Sequence, residues 1–281
     1  MNAARRTWFV TGASSGFGLA LVQGIIARGD QVVAAARKPE DIARLAALSP
    51  DQVLAVRLDV TEGEEIKAAV ATALDRFGAI DILINNAGYG LLSTVEEAEE
   101  EAIRRQFDTN FFGPAALIRA VLPSMRARRS GFIVNVSSTA GARGFAGSGY
   151  YSAAKAGLEA LTEALAAEAG ELGIRGMIVS PGPFRTDFFG RSIDLPATEI
   201  ADYATAIEQR HGYAQLSGKQ QGDPVRGARI IIDTVTGENP PLRLVLGGQA
   251  QPTIVAALEA KIADLAWSRD VAPRADFPEG E

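Results

Sequence analysis

The chain of 281 residues is 47% hydrophobic and 22% charged, a globular composition, and its length corresponds to one large domain or two small ones. Its formal net charge of -6 is the opposite of the balance that a protein held by nucleic-acid phosphates carries, so we expect no nucleic-acid partner. With no cysteine and one histidine, disulfides, iron–sulfur clusters, a cysteine nucleophile and a histidine-rich metal site are excluded, and we predict no metal.

Short apolar runs alternate along the chain with alanine-rich helical stretches. The apolar runs predict strands at Thr7–Val10, Gln31–Ala36, Val53–Leu58, Ile80–Asn85, Gly131–Ser138, Ile174–Ser180 and Leu242–Leu246. The stretches between them predict helices at Phe17–Arg28, Pro39–Leu48, Glu64–Phe77, Glu97–Asp108, Phe111–Arg128, Ser152–Leu172, Pro224–Thr236 and Thr253–Trp267. Strand runs without polar alternation are typical of parallel strands that are buried on both faces. The pattern therefore predicts an α/β fold, a doubly wound parallel sheet with helices on both faces.

No linker or charge block divides the sequence, so we predict a single domain over residues 1–281, with a C-terminal helix at about 253–267. The exception to the alternation is Pro181–Pro224, which is rich in aromatic residues and has no clear strand. We expect a substrate-binding loop or lid there, at about 183–223. No apolar leader follows Met1–Arg6, and no apolar run approaches the roughly 20 residues of a membrane span. We expect a cytoplasmic location.

The first predicted strand runs into a glycine-rich turn, Thr11–Gly18, at which a helix begins. Glycines allow the backbone to bend sharply there and to approach a pyrophosphate. The N terminus of the helix directs free N–H groups and the positive end of its dipole at the phosphates. The spacing Gly12-x-x-x-Gly16-x-Gly18 is a variant of the dinucleotide fingerprint G-x-G-x-x-G. An ordinary tight turn is the alternative interpretation.

Together with later markers, this turn resembles the short-chain dehydrogenase/reductase family, in its single-domain subgroup. The markers occur in the family's order and are Asp59-Val60, Asn85-Asn86-Ala87-Gly88, Asn110, Ser138, Tyr151-x-x-x-Lys155 and Pro181-Gly182. The stretch that begins at Pro181 looks similar to hydroxysteroid and retinol dehydrogenase-like members. The resemblance implies a Rossmann-type oxidoreductase with a nicotinamide cofactor, and a homodimer or homotetramer formed through the helices Phe111–Arg128 and Ser152–Leu172.

The end of the second predicted strand indicates which nicotinamide cofactor is bound. NAD-binding relatives carry an acidic residue there, whereas this chain has Ala36 followed by Arg37 and Lys38. No carboxylate repels a 2′-phosphate, and the planar fork of arginine suits phosphate. Ser14 and Ser15 are candidates for further hydroxyl contacts. We therefore predict NADP(H) over NAD(H); a solvated loop pair is the alternative interpretation of the two cations.

The resemblance implies the remainder of the cofactor site, from the adenine to the nicotinamide. Phe184 would offer its backbone and Thr186 its hydroxyl to the carboxamide. A purely architectural role is the alternative for Asn86–Gly88. The predicted cofactor-binding residues are Gly12, Ser14, Ser15, Gly16, Phe17, Gly18, Arg37, Lys38, Asp59, Val60, Asn86, Ala87, Gly88, Tyr151, Lys155, Pro181, Gly182, Phe184 and Thr186.

Tyr151 and Lys155 lie four positions apart at the start of a predicted helix, so they share one face. The neighbouring Tyr150 has no lysine at this offset. A phenol has a pKa of about 10, and we expect a nearby ammonium, together with the positively charged oxidised nicotinamide, to lower the pKa of Tyr151. The resemblance implies that Tyr151 is the acid/base and that Lys155 also holds the nicotinamide ribose.

The resemblance adds two further catalytic residues. Ser138 would hold the substrate oxygen beside Tyr151 and stabilise developing charge. Asn110 would bind a water that links Lys155 to solvent. Ser137 is the competing serine, but successive side chains of a strand point to opposite faces, so we expect Ser137 to point away from the site.

The predicted substrate pocket consists of Tyr89–Leu92, the Thr139–Ser148 loop and the stretch Pro181–Pro224. Its apolar and aromatic composition favours a hydrophobic or ring-containing alcohol or ketone. Two other functions are open: a non-catalytic dinucleotide-binding sensor, and a sugar-nucleotide epimerase, which usually has a different glycine turn. The acidic run Glu96–Glu101 is expected to be the first turn of a helix, where the dipole favours carboxylates.

Overall fold

The computed structural model describes residues 5–277; the two ends of the predicted domain, 1–4 and 278–281, lie outside them. The strands are β1 (Thr7–Thr11), β2 (Gln31–Ala36), β3 (Val53–Arg57), β4 (Ile82–Asn85), β5 (Gly90–Leu91), β6 (Gly131–Val136), β7 (Ile174–Pro181), β8 (Ile193–Asp194) and β9 (Arg243–Leu246). The helices are α1 (Gly16–Ala27), α2 (Glu40–Leu48), α3 (Gly63–Phe77), α4 (Glu100–Phe107), α5 (Gly113–Arg128), α6 (Thr139–Ala142), α7 (Gly149–Ala169), α8 (Ala204–Leu216), α9 (Pro224–Thr236) and α10 (Ala250–Leu265).

The main sheet has seven strands in the order β3-β2-β1-β4-β6-β7-β9. Every neighbouring pair in it is parallel. The chain therefore starts in the middle of the sheet, builds outward to β3, and returns through β4 to build the other half. This arrangement is the predicted doubly wound sheet within a single domain. It brings the carboxyl ends of all seven strands to one edge, where open α/β sheets bind their ligands.

The core consists of two clusters of apolar side chains, one on each face of the sheet. Along β1, Trp8 and Val10 enter one cluster and Phe9 enters the other, because successive side chains of a strand point to opposite faces. All three side chains are fully buried. Helices α1 and α9 cover the first face, and α3 and α5 the second. Burial on both faces explains why the strand sequences show no polar alternation.

The stretch Pro181–Pro224 has more regular structure than its sequence predicts. It contains β8, which pairs with β5 in a separate two-stranded sheet, and the helix α8. The expectation of a segment without a strand is therefore wrong. Because β5 directly follows the end of β4, this small sheet brings the stretch over the carboxyl edge of the main sheet.

The helix predicted at Glu97–Asp108 begins at Glu100 instead. Glu97 lies outside the helix and is buried, so the interpretation of the whole acidic run as a first helical turn is wrong. The predicted helix Phe111–Arg128 likewise begins later, at Gly113. The residues before it, Asp108–Phe112, form one π-helical turn that joins α4 to α5. Among the described residues, none of the helices combines the length and apolarity that crossing a membrane requires.

Candidate active site

The glycine turn between β1 and α1 has the backbone geometry that close approach to a ligand requires. Gly12 and Gly16 have φ of 64° and 52°, in the left-handed region that favours glycine. A Cβ on Gly18 would lie 2.1 Å from the Gly12 carbonyl oxygen, so the turn leaves no room for a side chain there. The first turn of α1 contains no acidic residue, and its free N–H groups open onto the turn. This arrangement fits a phosphate group.

Asn86 and Ala87 hold the glycine turn from the neighbouring strand end. The Asn86 amide donates to the Thr11 carbonyl oxygen at 2.9 Å. The backbone N–H groups of Asn86 and Ala87 both donate to the Thr11 hydroxyl, at 3.0 and 2.9 Å. These contacts support the architectural interpretation of this stretch. Sequence reasoning missed Thr11 as the residue that joins β1 to the end of β4.

The segment after β7 lies directly against the glycine turn. A Cβ on Gly16 would lie 3.2 Å from the Thr186 Cβ. The Phe184 ring packs on the Phe17 ring with centroids 4.7 Å apart. Gly182 donates its N–H to the Leu246 carbonyl oxygen at 2.9 Å, which fixes the start of the segment against β9. The structure therefore brings the glycine turn next to the segment that contains Phe184 and Thr186.

Arg37 and Lys38 follow β2 and are both exposed. Within residues 5–277 neither side chain makes an ion pair, so both cations are available to a ligand. Asp59 follows β3, and its carboxylate accepts from the N–H and the hydroxyl of Thr61 at 3.0 and 2.8 Å. Val60 is buried. These residues follow neighbouring strands at the carboxyl edge of the sheet.

Ser138 and Tyr151 lie together where β6 ends and α7 begins. The Ser138 hydroxyl accepts from the Ala140 N–H at 3.2 Å and so caps the short helix α6. Tyr151 lies in the first turn of α7 and is 8% exposed. Burial raises the pKa of Tyr151 to about 12, while a hydrogen bond with the Ser138 hydroxyl partly opposes the rise. Without a cofactor the pKa is raised because the loss of solvation outweighs this hydrogen bond; the expected lowering, which depends also on the charge of a bound oxidised nicotinamide, stays a prediction.

Lys155 and Asn110 converge on Gly88 at the end of β4. A Cβ on Gly88 would lie 2.6 Å from Asn110 Oδ1 and 3.5 Å from Lys155 Nζ. Lys155 donates to the Val136 carbonyl oxygen at 2.8 Å, and its Nζ lies 5.9 Å from the centroid of the Tyr151 ring. Burial lowers the pKa of Lys155 to about 8. The four predicted catalytic side chains are therefore gathered at the ends of β4 and β6.

The π-helical turn positions the Asn110 side chain. Its Nδ2 donates to the carbonyl oxygens of Tyr89 at 3.0 Å and Gln106 at 3.2 Å. Its Oδ1 is buried and has no hydrogen-bond partner among the described residues. A buried acceptor of this kind is costly unless a water or a ligand satisfies it. The sequence marks Asn110 but gives no sign of the π-helical turn, a feature that is frequent at functional sites.

The two neighbouring serines have different surroundings. Ser137 is buried and donates its hydroxyl to Glu159 Oε1 at 2.6 Å. Glu159 lies in α7, and its other carboxylate oxygen pairs with Arg243 Nη1 at 2.6 Å. Ser137 is therefore held by Glu159, two turns along α7 from Tyr151, whereas Ser138 lies beside Tyr151. Sequence reasoning missed Glu159 and Arg243.

Aromatic rings extend from Tyr151 into the lid. The Phe188 ring lies 5.9 Å from the Tyr151 ring, and Phe189 lies 5.6 Å from Phe188. Phe189 in turn stacks on Tyr213 of α8, with centroids 5.0 Å apart and planes inclined by 9°. The substrate side of the site therefore has an aromatic wall, which we define as Phe188, Phe189 and Tyr213. The sequence places both phenylalanines in the predicted pocket stretch Pro181–Pro224 but does not predict their alignment with α8.

A cleft of about 390 Å³ opens beside the start of α7. Its lining includes Val95, Phe145, Gly149, Tyr203 and Ala206. These residues come from the segment after β5, the loop before α7 and the start of α8. They agree with two of the three predicted pocket segments, Thr139–Ser148 and Pro181–Pro224. The predicted segment Tyr89–Leu92 does not line this cleft.

A buried ion pair holds α8 against the main body of the domain. Glu97 Oε2 lies 3.0 Å from Arg210 Nη1, and the two side chains are 0% and 6% exposed. Glu97 also accepts from the N–H groups of Ile200 at 2.8 Å and Thr94 at 3.2 Å. Burial alone would raise the pKa of Glu97, but these bonds and the one from Arg210 outweigh it and lower the pKa to about 2. Glu97 is therefore ionised and serves as the anchor of α8.

Comparison with known proteins identifies the class to which this site belongs. Residues 6–194 match the family model described as short chain dehydrogenase. The 3-ketodihydrosphingosine reductase of Bacteroides thetaiotaomicron is 36% identical over 243 residues, covering 86% of this chain and 88% of the relative. Retinol dehydrogenase 8 of Homo sapiens is 34% identical over 262 residues, covering 86% of this chain and 82% of the relative.

Solved structures agree with the sequence comparison. A short-chain dehydrogenase from Streptomyces avermitilis superimposes with a TM-score of 0.91 at 42% identity, covering 98% of this chain and all of the other. A short chain dehydrogenase from Burkholderia cenocepacia in complex with NADP has a TM-score of 0.74 at 25% identity, covering 95% and 98%. The chain is a Rossmann-type oxidoreductase. It belongs to the short-chain dehydrogenase family, which confirms the resemblance that its motifs predict.

Proposed function

We propose that the protein is an NADP(H)-dependent oxidoreductase that interconverts a secondary alcohol and a ketone or aldehyde. The observation that carries the proposal is the convergence of Asn110, Ser138, Tyr151 and Lys155 at the carboxyl ends of β4 and β6. They lie on the side of the sheet edge that also holds the glycine turn. A non-catalytic dinucleotide sensor needs the turn but has no use for these four side chains.

The residues of the turn fit a dinucleotide. Gly12, Gly16 and Gly18 let the turn close tightly on its own backbone and on Asn86, Ala87 and Thr186, where a Cβ would crowd these neighbours, and the N terminus of α1 supplies unpaired donors to phosphates. Asp59 and Val60 would border the adenine. Gly88 and the segment Pro181–Thr186 would lie along the nicotinamide riboside. A bound nicotinamide cofactor supplies or accepts the hydride, which none of the side chains of this chain can do.

Each catalytic side chain then has one task. Tyr151 carries the proton that joins or leaves the substrate oxygen; with a pKa of about 12 it is neutral, the form that donates to a carbonyl oxygen. Ser138, which lies close enough to Tyr151 to influence its pKa, holds the same substrate oxygen. Lys155 supplies positive charge and, through a water on the unpaired Asn110 Oδ1, a path for the proton to solvent.

The preference for NADP(H) rests on the two free cations after β2. Arg37 and Lys38 are exposed. They directly follow Ala36, the last residue of β2, and no acidic residue stands at this end of the strand. An arginine fork binds a phosphate through two parallel hydrogen bonds. The Arg37→Asp variant should lose roughly tenfold or more in kcat/KM with NADPH and gain with NADH. Equal use of both cofactors by the unmodified protein would contradict the assignment.

A hydrophobic or ring-containing substrate suits the aromatic wall. Phe188 lies against Tyr151 itself, so a substrate oxygen bound to Tyr151 places its carbon skeleton beside aromatic faces. Two relatives have names that refer to 3-ketodihydrosphingosine and retinol. Their substrates are properties of those proteins; they support the same chemical class here.

A panel of ketones and alcohols, followed by the absorbance of NADPH, tests the proposal. Turnover of at least one apolar member is expected, and the Tyr151→Phe variant should lose it while binding NADPH with nearly unchanged affinity. Cofactor binding without turnover across the panel would favour the sensor. We also expect a cytoplasmic location and a homodimer or homotetramer. Sedimentation of the purified protein measures the oligomeric state.

A further inference from the structure

One face of α7 carries an ionisable side chain at every turn. Tyr151, Lys155, Glu159 and Glu163 follow one another at four-residue intervals, so they lie one above the other along the helix. The end of β6 contacts three of them in register. The Val136 carbonyl accepts from Lys155, Ser137 donates to Glu159, and Ser138 lies beside Tyr151.

Glu159 is the most constrained member of this face. Its side chain is 8% exposed and pairs with Arg243 of β9. Its Oε1 accepts from Ser137 at 2.6 Å and from Ser180 of β7 at 3.5 Å. A Cβ on Gly141 would lie 2.2 Å from the same oxygen, so the carboxylate has no room to move toward α6. Glu159 therefore connects the end of β6, the strand β7 and the strand β9 to α7, the helix that carries Tyr151 and Lys155.

We propose that Glu159 is a positioning residue for the catalytic pair: held by Ser137 and Arg243, it fixes the end of β6 against α7 and places a negative charge one helical turn from Lys155. This inference rests on the proposed function of Tyr151 and Lys155. Glu159 does not touch Lys155 closely enough to form an ion pair; it acts through space, one helical turn away.

The charges around Lys155 support this assignment. Burial lowers the pKa of Lys155 to about 8, and the charge of Glu159 opposes that fall. The groups that face the pair are Tyr151 from the same helix, Arg243 from β9, and Glu163, which also binds Arg243. Arg243 offsets part of the negative charge. Removing Glu159 should consequently lower the pKa of Lys155, and removing Arg243 should raise it.

The pH dependence of the stability of the protein without cofactor includes the titration of Lys155, which the comparison of variants isolates. The folded-state pKa lies below the ordinary 10.5, so between these values the unfolded chain holds a proton that the folded chain has released. Stability therefore rises with pH across this window. Glu159→Gln keeps an acceptor for Ser137 but removes the charge, so the rise should begin about 0.5–1 pH unit lower. Arg243→Gln should make it begin higher.

Urea denaturation of the purified protein from neutral to alkaline pH measures this onset. Glu163→Gln is the matched control, since it removes a carboxylate that binds Arg243 one turn farther from Lys155, and its onset should not move. In a Lys155→Met background, Glu159→Gln should leave the pH dependence unchanged. A uniform loss of stability at every pH would indicate a merely structural role and overturn the proposal, as would shifts of the same sign in Glu159→Gln and Arg243→Gln.

Two further precautions make the result decisive. If Glu159→Gln does not fold, Arg243→Gln provides the test. The Arg243 side chain is half-exposed, so we expect the variant to fold, and the onset of the rise in stability should move to higher pH. Once a substrate is known, the alkaline limb of kcat against pH should move with the same signs. Absence of turnover in the unmodified protein would refute the proposed function alone, whereas an unmoved onset in the urea experiment refutes the role of Glu159.

Discussion

Glu97→Gln should destabilise the protein by breaking the ion pair that anchors α8. The carboxylate accepts from Ile200, from Thr94 and twice from Arg210. A glutamine retains one acceptor oxygen. Its NH₂ group, however, is turned toward two donors, the Thr94 N–H and Arg210 Nη1. The carboxylate that then remains beside Arg210 is the half-exposed Glu199, at 3.7 Å. Removing one partner of a buried pair costs about 3–5 kcal/mol, and we expect about 3 kcal/mol because the amide keeps part of the network.

Urea denaturation of the two proteins over a range of pH measures this difference. The folded-state pKa of Glu97 is about 2, below its ordinary 4.5, so its contribution is complete above 4.5 and is lost as pH falls toward 2. The difference between the proteins should be constant near neutral pH and shrink in acid. The exposed Glu101→Gln is the control and should change stability by less than about 0.5 kcal/mol. A difference under about 1 kcal/mol at neutral pH, or one unaffected by acid, would refute the reasoning.

Two further substitutions separate binding, chemistry and structure. Gly18→Ala forces a methyl group within 2.1 Å of the Gly12 carbonyl oxygen and should weaken NADPH binding roughly tenfold or more while costing about 1–3 kcal/mol of stability; fluorescence titration and thermal unfolding check this. Ser138→Ala should lower kcat roughly a hundredfold and, because it removes the cap of α6, cost about 1 kcal/mol of stability. The matched Ser137→Ala should lose about 1–2 kcal/mol of stability and far less kcat, since it deprives Glu159 of a donor. Equal kinetic losses in the two serine variants would contradict their separate surroundings.

The sequence predicts the main sheet well because the strands are buried on both faces. Ile82–Ile84 and Trp8–Val10 are unbroken apolar runs, which few other structures accommodate. The glycines predict the turn at Gly12–Gly18 through backbone conformation, a property of the residue itself. Local chemistry decides these features, so they can be read without the rest of the chain.

The substrate side escapes prediction because distant contacts decide it. Helix α8 has no apolar stripe, and the residues that it buries are Ala206 and Arg210. An arginine is buried only because Glu97, 113 residues away, meets it. The same holds for Glu159, whose importance depends on Arg243 from another strand. Pairs of opposite charge far apart in the chain give no periodic signal along it.

The β5–β8 sheet and the Glu97–Arg210 pair give the two halves of the site different capacities for evolutionary change. The cofactor half is part of the main sheet, where a substitution in one strand disturbs its neighbours through the backbone ladder. The lid is joined to that framework through the two-stranded β5–β8 sheet, the ion pairs Glu97–Arg210 and Arg105–Asp194, and the contact of the Phe188 ring with Tyr151. Insertions and new side chains between these attachment points leave the strand ladder untouched. A lineage with this architecture can exchange substrates by remodelling the lid while inheriting the hydride chemistry unchanged.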